Sequence, residues 1–298
     1  AQVRVLSPIY VNEYLRSRSP RVCVIGLKMP AIRYTASIYR AVNQALAGPL
    51  LLGFKPDLIH ETYYASKPAL AQGYKRVLTV YDMIHELFPA EFHPNDRVHI
   101  DKALAVARAD HIICISEHTR RDLIRILGVP HEKTSVIHLR FSLRPTGAEV
   151  DPPVRRPFLL YVGARGSYKN FTCLLRAYAA SDWLMKDFDL VAFGGGPINA
   201  KETELIRQLA IPPENVRLLQ GGDDILAGLY LRAAAFVYPS LYEGFGIPPL
   251  EAMSFDCPVV CSNAQDVRFD LMDAGNGRFI LEANNVSDQA LSVEFRPG

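Results

Sequence analysis

Short runs of β-branched and aromatic residues recur along this chain, each followed by a stretch of helical period, and the alternation occurs twice. In the first half Val22–Ile25, Leu58–His60, Val77–Tyr81, His111–Ile115 and Ser135–His138 read as strands. A helix is marked between the last two: Ser116 is an N-cap candidate, Glu117 lies in the first turn, Leu123, Ile124 and Leu127 form the apolar side, and Gly128 with Pro130 ends it. Residues 142–157 contain Pro145, Pro152, Pro153 and Pro157 without an apolar period and read as a linker. The alternation resumes with Phe158–Val162, Phe188–Phe193, Val216–Leu219, Ala235–Tyr238 and Pro258–Cys261. A helix over 169–180 carries Phe171, Leu174, Leu175 and Tyr178 at i, i+3, i+4, i+7. Strands separated by helices form parallel sheets covered on both faces, so the expectation is an α/β chain of two doubly wound, Rossmann-like domains, 1–143 and 144–298.

Length agrees: 298 residues is about twice the ~150 expected of one domain. At 49% hydrophobic and 21% charged residues the chain is globular rather than disordered. It contains no apolar run of the ~18 residues needed to span a bilayer, and its first residues lack the basic-then-apolar order of a secretory signal. Five cysteines form no CxxC pair; Cys257 and Cys261 read as core residues, and a reduced, cytoplasmic protein is expected. Residues 1–141 hold 19 lysines and arginines against 12 acidic residues, while the remainder is net acidic. No nucleic-acid motif accompanies that surplus, so a nucleic-acid partner is not expected. Arg16, Arg18 and Arg21 suggest a peripheral contact with anionic lipid at the inner face of a membrane.

In open α/β sheets ligands bind beyond the carboxyl ends of the strands, which makes the residues after each strand informative. They are Asp82, with His85 close by; Gly163, Arg165, Gly166 and Lys169; Gly194 to Gly196; and Glu243, Gly244, Phe245 and Gly246. Gly163 and Gly166 permit close backbone approach, and Arg165 and Lys169 add positive charge at a helix start that already favours anions, a combination suited to a diphosphate. Glu243 and Glu251 are eight apart, with Pro248 and Pro249 placed to open a helix. Carboxylates grip vicinal hydroxyls well because each oxygen accepts two hydrogen bonds. The chain has neither GxGxxG nor GxxxxGK[ST], so a dinucleotide oxidoreductase or P-loop NTPase is not supported. Asp187-Phe-Asp189 sits at the entrance of its strand and reads as structural, and His60-Glu61 reads as a satisfied polar pair or a binding site.

YVGARGSYKNFTCLLRAYA (161–179) and FVYPSLYEGFGIPPLEAMSFDCPVVCSNA (236–264) resemble the nucleotide-sugar half of glycosyltransferase family four. VLTVYDMIHELFP (77–89) and ADHIICISEHTRRDLI (109–124) resemble the acceptor-side half of bacterial polysaccharide transferases in that family. The resemblance implies the GT-B fold, two domains facing a central cleft, and transfer of a hexose with retention from a nucleotide diphosphate sugar to a saccharide or lipid-linked acceptor. GDP-mannose is the first donor it suggests. It assigns Arg165 and Lys169 to the donor diphosphate, Glu251 to the ribose hydroxyls, and Glu243 with Gly244, Phe245 and Gly246 to the donor sugar. Asp82 and His85 would border the acceptor and reaction centre. No cofactor and no metal ion is implied. Tyr81 stands where many relatives have His, and the residues after Ala264 depart from the family pattern. The reading from another class is a non-catalytic nucleotide-sugar-binding or scaffold protein with a degenerate acceptor domain.

Overall fold

A computed structural model describes residues 3–12, 15, 22–32, 35–54, 56–68, 74–145, 147, 150–262, 267–275, 278–285 and 290–295. Arg16, Arg18 and Arg21, which carry the membrane expectation, lie outside the described residues. The chain divides into two compact units. One is Ala1–Val80 with Arg97–Ile113 and Val129–Ser135; the other is Tyr81–Asp96 with Cys114–Gly128 and Val136–Gly298.

The first unit opens with β1 (Val3–Tyr10) and β2 (Val22–Lys28), a parallel pair, and α1 (Ala36–Leu52). Sequence reading missed β1, because Ser7 and Pro8 interrupt its β-branched run. Its register slips between Leu6 and Ile9, and Asn43 of α1 bridges both backbone groups of Ile9 at 2.6 and 2.9 Å. Next come β3 (Leu58–Glu61), β4 (Lys75–Val80), α2 (Ile84–Leu87), α3 (Val98–Arg108), β5 (His111–Cys114), α4 (Glu117–Leu127) and β6 (Thr134–Val136). The four strands form one sheet in the order β3-β4-β5-β6. His60 meets Thr79 at 2.7 Å and Glu61 meets Arg108 at 2.8 Å, so both polar residues closing β3 are satisfied within the unit.

Helix α4 and the turn containing α2 are parts of the second unit. Ser116 accepts from the Thr119 N–H at 3.0 Å, and Gly128, left-handed at φ 64°, returns its N–H to Ile124. Thr119 and Asp122 are buried beside Leu123, so the inward face is more polar than its apolar period suggests.

The rest of the second unit is β7 (Phe158–Val162), α5 (Phe171–Ala179), α6 (Asp182–Asp187), β8 (Asp189–Phe193), α7 (Ala200–Gln208), β9 (Val216–Leu219), α8 (Asp223–Arg232), β10 (Ala235–Tyr238), α9 (Ile247–Ser254) and β11 (Val259–Cys261). The five strands are all parallel, in the order β11-β10-β7-β8-β9. Their alternating side chains feed two cores. Phe158, Leu160, Val191 and Phe236 pack with α8 and α9, while Tyr161, Leu190 and Ala192 pack with Phe171, Leu174, Leu175 and Tyr178 of α5. The proline-rich segment before β7 lies against this body: Val154 joins the first core, with Cys257, and the Val150 N–H reaches the Asp224 carbonyl. Asp189 opens β8 fully buried between Arg156 at 3.0 Å and Arg217 at 2.7 Å, the structural task expected of it. Beyond β11, β12 (Val267–Gly275), β13 (Arg278–Asn285) and β14 (Ala290–Phe295) form an antiparallel meander.

Candidate active site

The strand order fixes where a ligand can lie. From β7 the chain winds through β8 and β9 to one edge and then returns to β10 on the other side of β7. Loops leaving β7 and β10 therefore diverge, and the crevice between them is a topological switch point. The loop after β7 carries Gly163, Arg165 and Lys169, and the loop after β10 carries Glu243 to Gly246.

Across this crevice the Lys169 ammonium lies 2.6 Å from Glu243 Oε1, with about four-fifths of each side chain buried. Lys169 ends a single 3-10 turn and faces the rings of Tyr168 and Tyr238 at 5.3 and 5.8 Å. The Tyr168 carbonyl accepts from the Leu241 N–H at 2.7 Å, joining the two loops by backbone as well. Burial, followed by the negative charge of Glu243, pushes the Tyr238 hydroxyl well above its ordinary pKa, so it remains a neutral donor beside the carboxylate. Tyr168 is raised by burial and then by the charges of Glu243 and Asp82.

Gly244 is held from below. Its carbonyl accepts from Ser116 Oγ at 2.5 Å and Thr119 Oγ1 at 3.1 Å, both at the start of α4. A β-carbon on Gly244 would stand 1.9 Å from the Tyr81 carbonyl oxygen, a contact only glycine escapes. Asp82 follows directly, and its Oδ1 accepts from the Ile84 N–H at 3.0 Å just ahead of α2, whose N-cap is Met83. His85 stacks on Phe92 with ring centres 3.8 Å apart, and its Nε2 is 4.0 Å from Asp96. Phe245 lies near the His138 ring at 5.6 Å, and Gly246 starts α9, whose first turn contains Pro248 and Pro249 as expected.

Arg165, expected beside Lys169 on a diphosphate, has a different placement. Its guanidinium is buried, bonding Glu202 at 2.9 Å and the carbonyls of Gly194, Gly196 and Pro197 at 3.0, 3.1 and 2.8 Å. Those bonds turn it towards the loop after β8. Glu251 is half-buried on α9 just beyond its first turn, which holds no acidic residue, with the buried Tyr230 hydroxyl 3.4 Å from Oε2. Burial raises the Glu251 pKa, the Tyr230 bond opposes that rise, and Asp223 adds to it.

Glu202, Tyr230, Tyr238, Thr119 and Tyr242 were not singled out in the sequence. Of these only Glu202 had a local signal, as the N3 carboxylate of an Asn199 capping box. Tyr242 meets the Met83 N–H at 3.4 Å and the His118 ring at 4.8 Å, contacts made by segments far apart in the chain.

Comparison with known proteins gives a consistent picture. The family profile described as Glycosyltransferase Family 4 matches residues 1–139, and that of Glycosyl transferases group 1 matches 148–295, past the point where the sequence pattern was lost. An O-antigen chain mannosyltransferase B of Escherichia coli is 31% identical over 241 residues, covering 75% of this chain and 62% of that protein. An N-acetylgalactosamine-N,N'-diacetylbacillosaminyl-diphospho-undecaprenol 4-alpha-N-acetylgalactosaminyltransferase of Campylobacter jejuni is 26% identical, covering 61% of this chain and 49% of that protein. The chain thus spans about half to six-tenths of the length of these relatives. A solved sucrose-phosphate synthase from Thermosynechococcus elongatus superposes with a TM-score of 0.62 at 20% identity, covering 82% of this chain and 66% of its own. The fold is the expected α/β, GT-B type.

Proposed function

We propose sugar transfer as the reaction of this protein, which belongs to the family 4 glycosyltransferases. The donor is a nucleotide diphosphate sugar and the acceptor a saccharide or lipid-linked saccharide in polysaccharide synthesis. The Lys169–Glu243 pair at the switch point is the observation that carries this reading. Breaking a sugar–phosphate bond separates charge: the electron pair leaves with the diphosphate and the anomeric carbon becomes positive. An ammonium beside a carboxylate matches that separation, Lys169 towards the departing diphosphate and Glu243 towards the sugar ring. The acceptor hydroxyl oxygen then bonds the anomeric carbon, and its proton passes to the departing diphosphate, leaving the glycoside and the nucleotide diphosphate as products.

Gly244, Phe245 and Gly246 would line the sugar, Glu251 would accept from the ribose hydroxyls, and Gly163 would leave room for the phosphates. Asp82 and His85, on the turn beside Gly244, would border the acceptor. Retention rests on the family resemblance, and mannose from GDP-mannose on that and on the mannosyltransferase similarity. With Lys169 and the backbone N–H groups at the crevice to neutralise the leaving group, the proposed reaction needs no divalent ion and no further cofactor. No described helix is long and apolar enough to cross a membrane.

The test is release of nucleotide diphosphate from a panel of GDP- and UDP-sugars with a lipid-linked oligosaccharide acceptor, with and without EDTA. Acceptor-dependent release is expected with one donor or a few, and mannose is the first sugar to try. Tight donor binding without release from any donor would favour the scaffold reading, and EDTA-abolished release would reject metal independence.

A further inference from the structure

We propose that Glu202 is a positioning residue of the donor site, acting through Arg165 to hold the Gly194–Pro197 loop and the turn that carries Lys169. This rests on reading the site as one for a nucleotide diphosphate sugar. Glu202 belongs to none of the strand-end loops of the crevice, yet its side chain is only 6% exposed and both its oxygens are used. Oε1 accepts from Arg165 Nε at 2.9 Å, and Oε2 accepts from the Asn199 N–H at 2.9 Å, closing the box that begins α7. One carboxylate therefore fixes the end of a helix and the orientation of a guanidinium.

The fork of Arg165 then collects the carbonyls of Gly194, Gly196 and Pro197. Gly194, Gly195 and Gly196 are all left-handed, with φ of 84°, 72° and 74°. At Gly195 a β-carbon would come within 2.7 Å of the Gly163 carbonyl and 2.8 Å of Arg165, so this loop closes against the loop after β7. In a trans peptide the N–H points opposite to the carbonyl. With the Gly194 and Pro197 carbonyls turned to Arg165, the N–H groups of Gly195 and Ile198 face away from it.

The same anchor reaches Lys169. Only Gly166 and one 3-10 turn separate it from Arg165, with the Lys169 N–H on the Gly166 carbonyl at 2.9 Å. A second bond, from the Tyr161 hydroxyl to the Ala164 carbonyl at 2.5 Å, pins the near side of this segment. Paired with Glu202, Arg165 adds no net charge to the site. Its task is to give shape, and the cation placed to meet a diphosphate is that of Lys169, which keeps Glu243 beside it at 2.6 Å.

The experiment is calorimetric titration of the full chain with UDP, UMP, GDP and GMP, comparing wild type with Glu202→Ala, Glu202→Gln and Asn199→Ala. The measured quantity is the ratio of diphosphate to monophosphate affinity for the preferred base, which a general loss of stability does not move. In Glu202→Ala the ratio is expected to fall about tenfold, the scale of one lost charge-assisted hydrogen bond. Glu202→Gln keeps one acceptor for Arg165 and is expected to fall about twofold or more on the same grounds. Asn199→Ala removes half of the helix cap, and should melt lower with its ratio intact. A wild-type ratio in Glu202→Ala, or an equal fall in Asn199→Ala, overturns the proposal. Should Glu202→Ala not fold, an unchanged ratio in Glu202→Gln overturns it. If wild type binds none of the four nucleotides, the nucleotide-sugar reading itself fails, and this proposal with it.

Discussion

The ammonium of Lys169 and the carboxylate of Glu243 meet at 2.6 Å, joining loops that leave adjacent strands, β7 and β10, in opposite directions. Withdrawing both charges from water is costly, and attraction repays that cost only with good geometry and further partners. Here the Tyr168 and Tyr238 rings lie against the ammonium. A diphosphate entering the crevice offers Lys169 a second anion while Glu243 remains beside it.

Lys169→Ala should therefore weaken nucleotide diphosphate binding more than nucleotide monophosphate binding. A charge-assisted hydrogen bond is worth about 1.5–3 kcal/mol, or roughly one to two orders of magnitude in affinity. Titration with UDP and GDP measures this, and equal affinity in variant and wild type would remove Lys169 from the site.

Glu243→Gln should lower kcat more than it raises KM, because the carboxylate matters most once positive charge has developed on the sugar. Steady-state kinetics with the identified donor decides. A normal kcat would mean that Glu243 serves only as partner to Lys169.

Gly244→Ala is expected to disrupt the site by geometry alone. Its new methyl group would stand 1.9 Å from the Tyr81 oxygen, and relief requires moving the loop off α4. Ser116→Ala acts on the same contact more mildly, removing an N-cap worth ~1 kcal/mol together with the bond to the Gly244 carbonyl. Thermal unfolding should show Ser116→Ala melting about 2–4 °C lower. Gly244→Ala should lose activity even where it stays folded; full activity would show that the loop is free to shift.

The sequence made the strand-end loops legible because the switch-point rule requires only strand order and the residues that follow. The strand-end positions of Lys169 and Glu243 and the Pro248-Pro249 helix start were readable on that basis. Arg165 was not: a guanidinium after a Gly-containing turn suits an anion equally well in solvent or buried, and only folding brings Glu202, 37 residues later, to it. Tyr230 and Tyr242 looked like ordinary core aromatics, since nothing local distinguishes a buried ring from one whose hydroxyl meets Glu251 or Met83. The meander β12–β14 was legible in principle. Val-Arg-Phe-Asp-Leu at 267–271 alternates with period two, but it departs from the parallel α/β pattern that organised the rest of the reading.

Glu251 supplies a pH dependence whose sign can be worked out. Burial raises its folded-state pKa, with the Tyr230 hydrogen bond opposing and Asp223 reinforcing the rise. The folded chain therefore keeps this proton to higher pH than the unfolded chain does. Wherever the folded state binds more protons, stability falls as pH rises. The loss begins near the unfolded carboxylate pKa, about 4.3, continues through the raised folded value, and persists above it as a constant penalty. Glu251→Gln carries no such charge, so its melting temperature relative to wild type should rise as pH increases from about 4.3 through the raised folded value. Nucleotide binding should move oppositely: the ionised carboxylate is the better acceptor for ribose hydroxyls, so wild-type affinity should increase over that interval and the variant's should not. Tyr230→Phe removes the opposing bond and should shift both wild-type transitions to higher pH. Melting curves and GDP or UDP titrations across this range test the prediction, and a melting difference independent of pH would show that Glu251 titrates as a solvent-exposed carboxylate.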